Sequence, residues 1–202
     1  MSSMSSKRRA CPLFFEDPSV MQAQSLSRIA DFLALQIRRA FSTKTAVPEE
    51  WSEGKRMPSM WGPYGLSSWC ISVLGLWILA SKKGIQAFGQ QFFIIDAILL
   101  MNQGVASWGA DVLTFGFSSW WKPVDRIHAV CLFIWLALKP VLISMSLLQM
   151  LIYIVIGMVA LACKYQSERS ISKRCWQSFL FWHTAWHVVP PASLIVWAII
   201  LR

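Results

Sequence analysis

From Tyr64 to the C-terminus the chain is a succession of five apolar runs, each near the span of about 17–25 residues that a helix needs to cross the hydrocarbon core of a bilayer. This constrains the fold more than any other feature. In lipid every backbone N–H and C=O must find a partner within the protein, so only helices and closed barrels can span. The runs are too long and too continuously apolar to be the alternating strands of a barrel. They cover about 64–81, 88–115, 125–139, 141–163 and 176–201. The expected fold is an all-α, polytopic transmembrane helix bundle of about five spans. Charged residues are only 14% of the chain, against about 25% in a soluble domain.

Two domains are expected, a polar, basic tail over 1–63 and the bundle over 64–202. The third and fourth runs adjoin, and Lys139-Pro140 is the expected turn between them, because proline removes a donor and restricts the residue before it. In the tail, Ser25 to Phe41 puts Ile29, Phe32, Leu33, Ile37 and Phe41 on one helical face, with Arg28, Arg38 and Arg39 beside it. Such a segment can lie in the membrane interface or act as a mitochondrial presequence. Arg39-Ala40-Phe41-Ser42 resembles a matrix-protease cleavage site, whereas Glu16, Asp17 and Asp31 are unusual in such peptides. Cys11, Cys70, Cys131, Cys163 and Cys175 are odd in number and dispersed, so they read as buried small hydrophobes rather than a disulfide framework or a metal motif. Trp61, Trp69, Trp120, Trp121, Trp176 and Trp197 read mostly as interface anchors.

Basic residues near the span ends set the expected orientation. Lys55, Arg56, Lys122, Arg126, Lys164, Arg169, Lys173 and Arg174 fall on one side, and Lys82, Lys83, Lys139 and Arg202 on the other. The N-terminus is therefore expected on the positive side of an integral membrane protein, in the ER or Golgi or in the mitochondrial inner membrane. The net charge of +9 lies in the tail and loops, where it can attract anionic headgroups. The basic residues are scattered without a recognition motif, so no nucleic-acid partner is expected.

Ionisable side chains inside spans are costly and usually face the bundle for a reason. Asp96, Gln103, Ser107 and Asp111 share one face of the second run, within about 40° either way at helical periodicity. Asp125 and His128 are neighbours at the start of the third. His183 and His187 in the fifth have the i,i+4 spacing with which a helix offers two nitrogens to one metal. With the expected topology all three clusters fall in the same half of the membrane. Each also has a plain reading. The histidines can hydrogen-bond across helices, Ser107 can ease helix packing, His128 can sit at the interface, and Asp96 can meet a polar partner or line a cavity.

At these positions the chain resembles the CREST superfamily, which includes alkaline ceramidases, the progestin and adipoQ receptors and GPI-remodelling lipid hydrolases. The matching residues are Ser107-Trp-Gly-Ala-Asp111, Asp125 and His183-Thr-Ala-Trp-His187. The resemblance implies a zinc ion held by His183, His187 and one ligand from the second span, with Ser107 and Asp125 beside it, and a lipid amide or ester as substrate. Asp125 would then be the general base and Ser107 a hydrogen-bond donor to the reacting oxygen. Family members carry histidine where this chain has Asp111 and have seven spans rather than five. Carboxylate is a legitimate zinc ligand, and His128 is the alternative third ligand. A second expectation is a non-enzymatic membrane subunit of a larger complex, a mitochondrial one if the tail is a presequence, its polar residues pairing between helices or binding lipid. A third is a receptor or transporter.

Overall fold

The computed structural model describes residues 34, 37–52 and 57–201. Most of the expected amphipathic segment over 25–41 and its presequence features lie outside the described residues. Among the described residues the chain is helical throughout, with no strand. In order, the elements are α1 (Glu49–Ser52), α2 (Pro63–Ser67), α3 (Trp69–Ala80), α4 (Lys82–Phe88), α5 (Phe93–Trp108), a π-helical turn (Gly109–Leu113), α6 (Trp121–Leu142), α7 (Leu147–Ser172) and α8 (Trp176–Leu201). Residues Ala40–Arg202 form one compact unit.

Among the described residues four segments are long and apolar enough to cross a membrane: Pro63–Ala80, Phe93–Leu113, Leu147–Ser172 and Trp176–Ile200. The chain is thus an integral membrane protein with several helical spans. The count departs from the expected five at α6. This helix has 22 residues, enough length, but Lys122, Asp125, Arg126 and Lys139 leave at least three charges in any 18-residue stretch of it. The expected turn at Lys139-Pro140 is also corrected. Pro140 sits inside the last turn of α6, where the helix has little further to run. The break comes at Ile143–Ser146, where Ser144 takes a positive φ of 48° and Ser146 starts α7 through a reciprocal capping box with Gln149.

Two other boundaries moved. The expected second span began at Phe88, but Phe88 ends the separate helix α4 and the chain turns at Gly89, with φ 86°. A Cβ there would also lie 2.6 Å from the Ile143 side chain, so glycine is required on both counts. The fourth span was expected to end at Cys163, but α7 continues to Ser172. Its polar extension carries an exposed i,i+4 pair, Lys164 with Glu168, at 3.8 Å.

The bundle is built on two close helix pairs, α3 with α5 and α7 with α8. The first depends on absent side chains. A Cβ on Gly75 would lie 2.7 Å from the carbonyl oxygen of Ala97, and one on Gly104 would lie 2.1 Å from Ser72 Oγ. Such small residues let backbones approach where lipid supplies no hydrophobic drive between helices. Gly75→Ala should therefore lower the thermal unfolding midpoint in detergent, at an overpacking cost of about 1–3 kcal/mol. An unchanged midpoint would show that the contact has slack.

One apolar cluster, including Leu74, Ile78, Phe88, Leu100 and Trp197, fills the bundle; a second, of Trp51, Tyr64, Phe115 and Phe179, packs at one end. Trp197 is thus no interface anchor: it is 3% exposed and its indole donates to the carbonyl of Gln149. Trp61 and Trp120, at 81% and 77% exposed, do present their rings outward. Asp96 meets Lys139 at 2.6 Å, with both side chains buried. Trp135 Nε1 donates to the other carboxylate oxygen at 2.6 Å. The Lys139 ammonium also donates to the Phe88 carbonyl at 3.0 Å and lies over the Phe92 ring.

Candidate metal centre

His183 and His187 stand one turn apart on α8, both buried. The π-turn after α5 brings Asp111 to them. A π-turn inserts a residue into the helix and often marks a functional position. Here Gly109 opens the turn, and a Cβ on it would strike the Trp121 ring at 2.5 Å. Thr114 holds the turn from its far end, its hydroxyl donating to the Gly109 carbonyl at 3.0 Å, while the Lys122 ammonium donates to the Ala110 carbonyl.

Three ligand-type atoms result, arranged as a small triangle. His183 Nε2 lies 2.9 Å from Asp111 Oδ2, His187 Nε2 lies 3.5 Å from the same oxygen, and the two Nε2 atoms are 3.1 Å apart. A tetrahedral ion with ligands at about 2.0–2.2 Å spaces those ligands roughly 3.3–3.6 Å from one another. The triangle is close to one face of such a tetrahedron, and the three residues could hold a metal ion. Two imidazole nitrogens this close cannot both point a proton at the other, so at least one offers a lone pair. His187 Nδ1 has no hydrogen-bond partner among the described residues.

The expected neighbours of the site form a second group alongside. Ser107 Oγ donates to Asp125 Oδ1 at 2.6 Å, and Gln103 Nε2 donates to the same oxygen at 2.7 Å. Asp125 interacts electrostatically with both Asp111 and His187. His128 does not join the triangle: its Nδ1 donates to Gln103 Oε1 at 2.8 Å, so it supports the amide that grips Asp125. Arg126 donates to the Ser42 and Lys44 carbonyls.

Two residues at the centre carried no signal in the sequence. Tyr64 stacks on His183, ring centroids 5.1 Å apart and planes 29° from parallel, and it interacts electrostatically with Asp111 and Asp125. As an aromatic at the start of a span it looks like any interface anchor. Ser167 on α7 meets His183 Nδ1 at 3.2 Å. It lies beyond the end expected for its span, in a stretch whose charges read as a loop.

An apolar cavity of about 320 Å³ opens beside this group. Leu74, Leu100, Leu132, Leu136, Trp186 and Leu194 are among its walls, and among the described residues Gln103 is the one amide or charged side chain that lines it. The same Gln103 that binds Asp125 therefore marks the polar end of an otherwise greasy space. Comparison with protein-family models, with curated proteins and with solved structures gave no match.

Proposed function

We propose that this chain is a zinc-dependent, membrane-embedded hydrolase of lipid amides or esters, similar in its site to the CREST hydrolases. The observation that carries the reading is the triangle of Asp111, His183 and His187 with the Ser107–Asp125 pair beside it. Two histidines and one carboxylate form a known catalytic zinc set that leaves a position open. Zinc so held would polarise a scissile carbonyl and ease deprotonation of water. The other roles belong to the chain's own side chains. Asp125 accepts the proton of the attacking water and returns it to the leaving amine or alcohol. Ser107 and Gln103 orient that carboxylate through the hydrogen bonds they donate to it, and only once Asp125 has taken the proton is the single Ser107 O–H free to turn toward negative charge on the reacting oxygen.

The cavity supports a lipid as the substrate. Its wall on α6 runs from Ala129 to Pro140, roughly 16 Å at 1.5 Å per residue. That is about half of a hydrocarbon core of some 30 Å, the depth of one leaflet. An acyl chain lying there would bring its carbonyl to Gln103 and Asp125.

The test uses full-length protein purified in detergent. Metal analysis should find one zinc per chain, and the protein should cleave ceramide-type amides or acyl esters. Asp125→Asn should keep the zinc and lose about 10²–10⁴-fold in rate. Protein that holds no zinc and co-purifies with other membrane subunits would instead favour a non-enzymatic role within a complex. Equal rates in wild type and Asp125→Asn would refute the assignment of the base.

A further inference from the structure

We infer that Ser167 is a positioning residue for the metal centre: its hydroxyl oxygen accepts a hydrogen bond from His183 Nδ1–H and so directs the Nε2 lone pair at the ion. The inference rests on the metal reading proposed above and adds a residue from a helix that contributes no ligand.

An imidazole binds a metal through one nitrogen only if the proton sits on the other. A ligating histidine almost always donates that N–H to a fixed acceptor, which sets both tautomer and ring orientation. His183 Nε2 is the nitrogen that faces Asp111 and His187; with an ion on its lone pair Nδ1 would carry the proton, and Ser167 Oγ stands 3.2 Å away to accept it in a hydrogen bond. Both partners are buried, Ser167 to 1% exposure, so water does not compete for the contact.

The way α7 packs explains why a serine can reach. Its buried positions include Ala160, Cys163, Ser167 and Ser170. These small residues let α7 lie close along α8, within the short reach of a hydroxyl. Helix serines commonly turn back to the carbonyl four residues before them. Ser170 does so, donating to the Gln166 carbonyl at 2.7 Å, and it also contacts Ser178 on α8 at 2.8 Å. Ser167 is turned across to the imidazole instead. Tyr64 and Phe179 hold the same ring, with centroids 5.1 and 5.2 Å from it. Among the described residues His187 has no such hold on its Nδ1. The two histidines are therefore unequal, and His183 is the anchored ligand.

Zinc affinity should be measured by chelator competition on the full-length protein in detergent, with the visible spectrum of the cobalt-substituted form as a second readout. Ser167→Ala should weaken zinc binding about 10–100-fold and alter the cobalt spectrum. Ser167→Thr, which keeps the hydroxyl, should recover most of the affinity. Ser170→Ala removes a comparable α7–α8 contact one turn away and should leave zinc affinity and spectrum unchanged. Equal affinity in Ser167→Ala and wild type overturns the inference while the metal site stands, as does an equal loss in Ser170→Ala, which would make the effect one of helix packing. A wild type without zinc overturns the metal site and this inference with it.

Discussion

Replacing His183 and His187 together by alanine should leave the purified protein without bound zinc and without hydrolytic activity. Two of the three converging ligand atoms disappear, so the loss of affinity should exceed the roughly 10–100-fold that follows from removing a supporting hydrogen bond alone. Folding stability gives an independent readout. A ion that binds only the folded state stabilises it by about 2.7 kcal/mol when free zinc is at 100 times its dissociation constant. Added zinc should therefore raise the unfolding midpoint of the wild type and not that of the double variant. Asp111 can be resolved in the same titration. Asp111→His supplies another nitrogen ligand and should retain zinc, while Asp111→Ala should lose it. Equal zinc in wild type and Asp111→Ala would remove Asp111 from the ligand set. Affinity should also fall as pH is lowered, because protonation of the imidazoles and the carboxylate competes with the metal.

The largest purely structural effect is expected at the other polar centre, Asp96 with Lys139. Either partner alone would be an unpaired charge in a buried, low-dielectric place. Asp96→Leu should cost about 3–5 kcal/mol, and so should Lys139→Met. The two losses should not add. A double variant, Asp96→Leu with Lys139→Met, removes both charges, leaves none unpaired and should be close to neutral, as apolar replacements of buried pairs often are. Thermal unfolding of the four proteins in detergent forms a double-mutant cycle. Additive losses would mean that the two side chains do not depend on one another. The pair ties the start of α5 to the last turn of α6, and Trp135 and the Phe88 carbonyl complete its hydrogen bonds. Zinc content should survive in these variants wherever the protein remains folded, since neither residue belongs to the metal triangle.

Much of the bundle could be read directly from the residues. The first, second, fourth and fifth runs became helices because apolar stretches of that length leave the backbone no other way to satisfy itself in lipid. The α8 range differs little from the fifth run, whose ends are marked by the shift from Lys173-Arg174 to Trp176. The departures have local causes. In the sequence Pro140 reads as a breaker, but a proline near the C-terminal end of a helix disturbs few bonds beyond itself. The first charges after Cys163 read as the end of α7, yet a helix can run on past the apolar stretch when its polar faces are solvated. Gly89 looked unremarkable within an apolar run, although its positive φ is what separates α4 from α5.

The i,i+4 spacing of His183 and His187 was enough to aim both imidazoles from one helix face, because helical geometry relates residues of one element by simple rotation. The same logic grouped Asp96, Gln103, Ser107 and Asp111 on one face, of which Asp96 goes instead to Lys139, and the order of the spans put Asp125 at the same end as Ser107 and Asp111. Sequence alone thus determined the class of fold, the helix faces that carry polar groups and which of those groups share an end of the bundle. What it left open was which side chains touch across helices. Asp111 turns to the histidines through a π-turn that no periodicity announces. Asp96 finds Lys139, Ser167 finds His183 and Tyr64 covers the same ring only because each helix is rotated and set at a particular depth against its neighbours. That rotation comes from the packing of small residues such as Gly75 and Gly104 against facing backbones, a property of two surfaces meeting. A one-dimensional spacing specifies one surface at a time, so those contacts were decided by the tertiary structure.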